Sequence, residues 1–344
     1  MICHDIHTAL SPLLLHYDSN QIVVVKDAAV RFDTGYPTLS LSVSEDTKSL
    51  ETVQQIWDFL FARHITRKGL LIAVGGGALT DMAGFAAATY KRGIDTINIP
   101  TTLLAMVDAS TGGKTGINYH GLKNSIGTFS IPKETLICAE WLRTLPAQQF
   151  LSGFGEMLKT GLIAMETGKW KMDNLWDKLL QYDLDTMPIE AITPLIEQCI
   201  AVKERIVAAD PKEEGLRKVL NLGHTFGHAL EEVSIQQSAV SNQMLHGYAV
   251  VYGMIAELYL SVTKLGYPKA HLQQLTQLML HYYGKPQCKC SDFNRLIALM
   301  QQDKKNEHAD TINCTLMHDI GSPAINQEIS TDEAREALDY LFSL

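Results

Sequence analysis

Leu70-Leu-Ile-Ala-Val-Gly-Gly-Gly-Ala-Leu-Thr80 is the stretch on which the fold class turns. Its unbroken apolar half reads as a strand of a parallel sheet, covered on both faces. It passes directly into Gly75-Gly76-Gly77, and a helical pattern resumes from about Leu79 to Tyr90. Strand, glycine turn and helix bring backbone N–H groups and a helix N-terminus to a phosphate. Glycine suits the turn because a Cβ would hold a pyrophosphate off the backbone. The spacing is not Gly-x-Gly-x-x-Gly, since position 80 is threonine. The dinucleotide fingerprint therefore fails in detail, and phosphate cradling remains the better reading than a bare turn.

Working outward, Ile22-Val-Val-Val-Lys26 and Leu39-Ser-Leu-Ser-Val43 read as further strands. Between them and Leu70 an amphipathic run from Thr47 to Ala62 places Leu50, Val53, Ile56, Trp57 and Leu60 on one side. Thr96-Ile-Asn-Ile-Pro100 is another short strand, followed by Thr101-Thr102. These alternations predict a Rossmann-like α/β nucleotide-binding domain over residues 1–147. Past Leu145-Pro146 the texture changes and no strand is read. Leu151, Phe154, Leu158 and Leu162 form an apolar stripe with Glu156 and Lys159 off it, and Thr186–Ala208 is a second helical region. Residues 148–344 are predicted to be an all-α domain.

Asp108-Ala-Ser-Thr-Gly-Gly-Lys-Thr-Gly-Ile-Asn118 reads as a glycine-broken loop. It is not a P-loop, because Asp108 stands where that pattern needs its first glycine. Lys114, Lys123 and Asn124 could reach an oxyanion; solvated surface lysines are the bland alternative. In Asn221-Leu-Gly-His-Thr-Phe-Gly-His228 a helix from about Gly223 would set His224, His228 and Glu231 on one face. Arg217, Asn221 and His224 would step along one helical side. Imidazole and carboxylate together suit a borderline cation such as zinc, with solvated histidines as the equal alternative. The pattern is not His-Glu-x-x-His, so a helical zinc protease would lack its base. His246 opens another apolar helix, and on its own reads as a capping or exposed histidine. Asp303-Lys304-Lys305 reads by default as a solvated charge run.

Composition sets outer bounds. The chain has 344 residues, 46% hydrophobic and 19% charged, with a formal net charge of −9. Without a basic run, neither nucleic acid nor an anionic membrane is an expected partner. No apolar run approaches the roughly 20 residues that span a bilayer, and the first residues lack a secretory layout. Cys3, Cys138, Cys199, Cys288, Cys290 and Cys314 are scattered, as expected of reduced thiols in a cytoplasmic protein.

Five segments in order resemble the 3-dehydroquinate synthase family of the sugar-phosphate cyclases. They are Gly-Gly-Gly-Ala-Leu-Thr-Asp-Met-Ala-Gly-Phe (75–85), Pro-Thr-Thr-Leu-Leu-Ala (100–105), Asp-Ala-Ser-Thr-Gly-Gly-Lys-Thr-Gly (108–116), Gly-Glu-Met-Leu-Lys (155–159) and Asn-Leu-Gly-His-Thr-Phe-Gly-His (221–228). The resemblance runs from Lys48 to Lys305, about three quarters of the chain. It implies NAD on Lys48, the turn of Gly76, Gly77, Ala78, Leu79 and Thr80, Asp81, Thr101, Thr102, Lys114, Lys123 and the stretch Trp141, Leu142, Arg143 and Thr144. It implies a divalent metal, zinc or cobalt, on Glu156, His224 and His246. A sugar-acid phosphate would meet Asp108, Lys114, Lys123, Asn124, Lys159, Lys203, Arg217, Asn221, His228 and one of Lys304 and Lys305, with Glu213 orienting the site. Arg92 would reach a neighbouring subunit, which implies a homodimer.

The implied reaction is that of the shikimate pathway's second step. It converts 3-deoxy-D-arabino-heptulosonate 7-phosphate to 3-dehydroquinate and phosphate, with NAD oxidising the substrate transiently and being regenerated. Cyclases making valiolone or inosose skeletons, and metal-dependent polyol dehydrogenases of the same fold, are the alternatives. Lys203, Arg217 and Asn221 favour a carboxylate-bearing substrate over the former; the Glu156, His224 and His246 set fits the latter less well. The chain departs from the pattern in a shorter segment before Lys48, an insertion at Ser234–Gln243, and Tyr248 where the family often has glutamate.

Overall fold

The computed structural model describes every residue except 121, 166–173, 238–242, 287–288 and 303–310, and the chain divides into two units, Met1–Pro146 and Ala147–Leu344. The first unit runs α1 (Ile6–Leu14), β1 (Ile22–Asp27), β2 (Thr38–Leu41), α2 (Leu50–Ala62), β3 (Leu70–Gly75), α3 (Gly77–Thr89) and β4 (Asp95–Pro100). A hairpin of β5 (Lys114–Tyr119) and β6 (Leu122–Phe129) precedes the short β7 (Glu134–Thr135). Five strands make one parallel sheet in the order β2-β1-β3-β4-β7. Strand order reverses between β1 and β3, and sheets of this kind bind ligands beyond the carboxyl ends of their strands at such a point. Gly75–Gly77, Thr101–Thr102 and the 136–144 stretch all follow strand ends on that edge.

The apolar run at Leu70–Val74 is covered on both sides, as its composition implies. Val23, Val25, Leu71 and Ala73 join one buried cluster with residues of α2 and α3. Ile22, Val24, Leu70, Ile72 and Val74 join the other with Ile6 and Leu10 of α1. Successive side chains of a strand point to opposite faces, so both clusters draw on the same strands.

The reading of residues 108–118 as a loop is corrected, because Lys114–Tyr119 is a strand paired antiparallel with β6. Its glycines conceal it. Gly116 lies opposite Gly127, and a Cβ on either would come within 2.6 Å or 2.1 Å of a carbonyl across the ladder. A pair pinched that tightly takes glycine and loses the alternation that marks a strand.

The second unit holds α4 (Ala147–Ile163), α5 (Leu175–Leu180), α6 (Ile189–Ala209), α7 (His224–Gln237), α8 (His246–Leu265), α9 (Lys269–Leu278) and α10 (Phe293–Gln301). Strands β8 (Ile312–Asp319) and β9 (Ser322–Ile329) then form a hairpin before α11 (Thr331–Ser343). This unit is helical, but the expectation of helices alone is corrected by that hairpin. Two register shifts in the ladder break the period of two in its sequence.

Two helix crossings position the chemistry. A Cβ on Gly247 of α8 would fall 1.7 Å from Ser152 O of α4, and one on Gly155 would fall 2.5 Å from Gly247 O. Likewise, a Cβ on Gly253 of α8 would fall 1.9 Å from Gly223 O, just before α7. Helix α8 therefore meets α4 and the start of α7 backbone to backbone.

Candidate metal centre and nucleotide turn

Helix α4 is buried from Phe150 to Ile163, packed by α5, α6 and α8. The side of α4 opposite its leucine stripe is therefore enclosed too, and Glu156 and Lys159 are each 1% exposed. Glu156 Oε1 lies 3.3 Å from His246 Nε2 and 3.7 Å from His224 Nε2. One ligand atom from each residue lies within 4.8 Å of the other two. Lys159, one turn on, pairs with the other oxygen of Glu156. Burial opposes the Glu156 charge, but Lys159 and His246 outweigh it and hold the carboxyl well below the usual range.

Neither carboxylate oxygen completes a well-formed hydrogen bond. A fully buried carboxylate without one, facing two imidazole nitrogens, is a donor set that a divalent cation fits. Two histidines and one glutamate are a catalytic zinc set with coordination positions left for water or substrate.

The far nitrogens of both rings fix their orientation. His224 Nδ1 lies 3.0 Å from Leu222 O, and His246 Nδ1 lies 3.3 Å from Glu231 Oε2. A carbonyl and a carboxylate can only accept, so each Nδ1 carries the proton and each Nε2 is left for metal. Glu231 thus stands outside the triad and supports His246 from its far nitrogen. It is 6% exposed and turned to His246. Its place seven residues after His224 was the sequence signal, since it puts both on one helix face. Glu231→Gln is expected to weaken metal binding about tenfold or more, measured by chelator competition. Unchanged affinity would remove Glu231 from this role.

Burial disfavours a charged His246, but Glu231 and Glu156 outweigh it and push its pKa up to about 10. Below that pH the metal-free ring is protonated, and metal must displace the proton. Apparent affinity is expected to rise about tenfold per pH unit between about pH 7 and 9, with one proton released per metal. Isothermal titration in buffers of different ionisation enthalpy measures this, and a flat profile would contradict it.

His228 is exposed, with its ring centroid 5.2 Å from that of His224 and 6.0 Å from that of His246. It borders the triad without belonging to it. Arg217 is 2% exposed and gives Nη1–H to Pro211 O at 2.8 Å. The reading missed Asp210, whose carboxylate accepts from the backbone N–H of Gly215 at 2.8 Å and Arg217 at 3.0 Å and builds the turn presenting Arg217. Asn221 donates to Glu213 at 3.1 Å. Lys203 is buried on α6, and residues 216–221 pack against α6 and α4. These last residues form a separate 3₁₀ turn, and Gly223 with φ +79° breaks it from α7. Arg217 and Asn221 therefore do not continue one helical side into His224, as the sequence reading had it. Tyr248 stacks edge-on against Tyr283, at 4.8 Å. The Ser234–Gln243 insertion lies partly, and Asp303, Lys304 and Lys305 wholly, outside the described residues.

In the first unit, α3 begins at Gly77 with Gly76 as its N-cap. The first-turn N–H groups of Gly77, Ala78 and Leu79 have no carbonyl to bond within the helix, the arrangement that receives a phosphate. The glycines also serve packing. A Cβ would fall 2.6 Å from Leu79 at Gly75 and 2.9 Å from Ala109 at Gly77, whereas at Gly76 the nearest atom is a Thr102 methyl at 3.3 Å. The side chains of Leu79, Thr80 and Thr101 are buried, and Thr102 is half-buried.

Lys48, 4% exposed, donates to Asp81 at 2.6 Å and to Asn124. Burial outweighs Lys48 at Asp81 and raises its pKa. Asn118 Oδ1 accepts from Asn124 N at 2.9 Å, and Asn118 N donates to Lys48 O at 2.8 Å, which ties the hairpin to this cluster. Asp81, Lys114 and Asn98 line one small cavity. Asp108 lies on the 105–109 turn and Lys123 on β6, both half-buried. Trp141 packs edge-on against Phe32, Leu142 is buried, Arg143 pairs with Glu140, and Thr144 is exposed. Arg92 is exposed in a left-handed turn after α3.

The sequence pattern of the 3-dehydroquinate synthase N-terminal region matches residues 38–152, and that of the C-terminal region residues 153–306. A 3-dehydroquinate synthase of Parabacteroides distasonis is 40% identical over 352 residues, covering 99% of this chain and 96% of its own. Another, of Pyrococcus furiosus, is 40% identical over 272 residues, 78% of this chain and 74% of its own. Among solved structures, the 2-epi-5-epi-valiolone synthase of Streptomyces hygroscopicus, with NAD+ and Zn2+ bound there, superposes with a TM-score of 0.84 at 26% identity. That match covers 99% of this chain and 95% of the other. Both halves of the pattern occur here in order, beside a relative 40% identical along nearly the whole length, and the chain belongs to the 3-dehydroquinate synthase family.

Proposed function

We propose that this enzyme is a carbon–oxygen lyase converting 3-deoxy-D-arabino-heptulosonate 7-phosphate to 3-dehydroquinate and phosphate, with no net oxidation. The observation that carries the reading is the buried Glu156, His224 and His246 set beside Lys159, in a chain of this family. Glu156, His224 and His246 would hold the metal. Lys48, Gly76, Gly77, Ala78, Leu79, Thr80, Asp81, Thr101, Thr102 and the 141–144 stretch would hold NAD. When bound, NAD supplies a hydride acceptor and the metal a Lewis acid for the substrate's vicinal oxygens.

The chain's own groups do the remaining work. Lys114, Lys123, Lys159, Lys203 and Arg217 offset the charges of the substrate's phosphate and carboxylate. Asp108, Asn124 and Asn221 supply directional hydrogen bonds, with Glu213 holding the Asn221 amide. His228, exposed beside the triad, meets the phosphate. One C–O bond to phosphate breaks and one proton leaves the adjacent carbon, which the departing phosphate is basic enough to take.

The enzyme acts as a homodimer in the cytoplasm, with Arg92 reaching the partner's phosphate pocket. Among the described residues no helix is long and apolar enough to cross a membrane. The β5–β6 hairpin and the residues after it leave Leu122, Phe129 and Ile131 exposed.

Phosphate release from the heptulosonate phosphate tests the reading. Release is expected to stop with a chelator and return with zinc or cobalt. Release that survives full metal removal would overturn it.

A further inference from the structure

Helix α7 carries His224 and His228 in its first two turns, yet its own sequence cannot cap it. The residue before His224 is Gly223, which has no side chain to accept from the orphan N–H groups of the helix start. The carboxylate comes from another helix. Glu257, fully buried on α8, accepts from Gly223 N–H at 2.6 Å through Oε2 and from Thr225 N–H at 3.3 Å through Oε1.

The surroundings leave this start little freedom. Gly223 is left-handed, and a Cβ there would fall 2.6 Å from both Met254 Cγ and Val250 O. His224 sits between the two amides that Glu257 holds, with Nδ1 held by Leu222 O at 3.0 Å. On α8, His246 and Glu257 are three turns apart on one face, about 16 Å along the axis. The side of α8 that presents one imidazole to Glu156 thus also grips the helix presenting the other. A negative charge against a helix N-terminus is favourable in itself, and two charge-assisted hydrogen bonds add direction.

We infer that Glu257 is a positioning residue for the metal centre: from α8 it caps α7 and fixes where His224 stands. The inference rests on reading Glu156, His224 and His246 as the metal ligands. Glu257 acts through the backbone on either side of His224.

The test uses the full-length protein, with Glu257→Gln and Glu257→Ala compared against wild type. Cobalt affinity by chelator competition is expected to fall about tenfold or more in Glu257→Gln and further in Glu257→Ala. The visible absorption of the bound cobalt is expected to change, which a loss of global stability alone would not cause. A folded Glu257→Gln protein with wild-type cobalt affinity and spectrum would overturn the inference. Hydrogen exchange on metal-free wild type supplies an arm independent of the variants' folding. The peptide containing Gly223 and Thr225 is expected to be strongly protected before any metal is added, and exchange at the rate of exposed loops would overturn the inference. Failure of wild type to bind cobalt would instead overturn the metal reading beneath it.

Discussion

Alanine in place of Gly247 is expected to cost this protein its metal centre. The added Cβ would lie 1.7 Å from Ser152 O and 2.5 Å from Ser152 C, both backbone atoms of α4. Because no side-chain rotation can relieve a clash with backbone, the helices must part. Gly155, on the other side of the contact, is already so close that its own Cβ would meet Gly247 O at 2.5 Å. Glu156 and His246 are the chain neighbours of Gly155 and Gly247, so any separation passes into the 3.3 Å between their ligand atoms. The substitution should destabilise the fold by on the order of 3 kcal/mol. Metal affinity should fall at least about a hundredfold. Thermal unfolding of the metal-free protein and zinc competition measure the two effects. Wild-type values in both would mean that the crossing does not set the site.

The second large effect separates two histidines that sit side by side. His246→Ala is expected to lose metal and with it turnover, because it removes one of the three proposed ligands and leaves Glu156 and Glu231 buried without their shared imidazole. His228→Ala should keep metal occupancy and slow turnover by about a hundredfold or more, the scale on which loss of one stabilising donor acts. Metal analysis of the two purified variants, set beside their kcat, decides the matter. Equal loss of metal in both would refute the ligand assignment.

The first unit was legible because its signals are local. An unbroken apolar strand, a glycine turn and a helix are contiguous at residues 70–89, and sheet order follows from how such units connect. The β5–β6 hairpin was not, since Gly116 and Gly127 make room for each other and erase the alternation. In the second unit, spacing along α7 put His224, His228 and Glu231 on one face, and the helix observed there has that face. Periodicity could go no further. Glu156, His224 and His246 come from three different helices, which backbone contact at glycines and the grip of Glu257 bring together. The family resemblance, not the pattern of residues, named the three as a group. Glu257 left no trace for the same reason: a lone glutamate within an apolar helix looks like a packing fault until its partner amides are seen.

The central claim is that a buried metal centre serves a redox-neutral elimination and not a net oxidation. Phosphate and NADH should therefore be measured together in one reaction of the metal-loaded, NAD-loaded protein with the heptulosonate phosphate. Phosphate is expected to accumulate over many turnovers while NADH stays below one equivalent per enzyme. NADH rising in step with product, or formed steadily from a simple polyol, would contradict the account and make the protein a dehydrogenase.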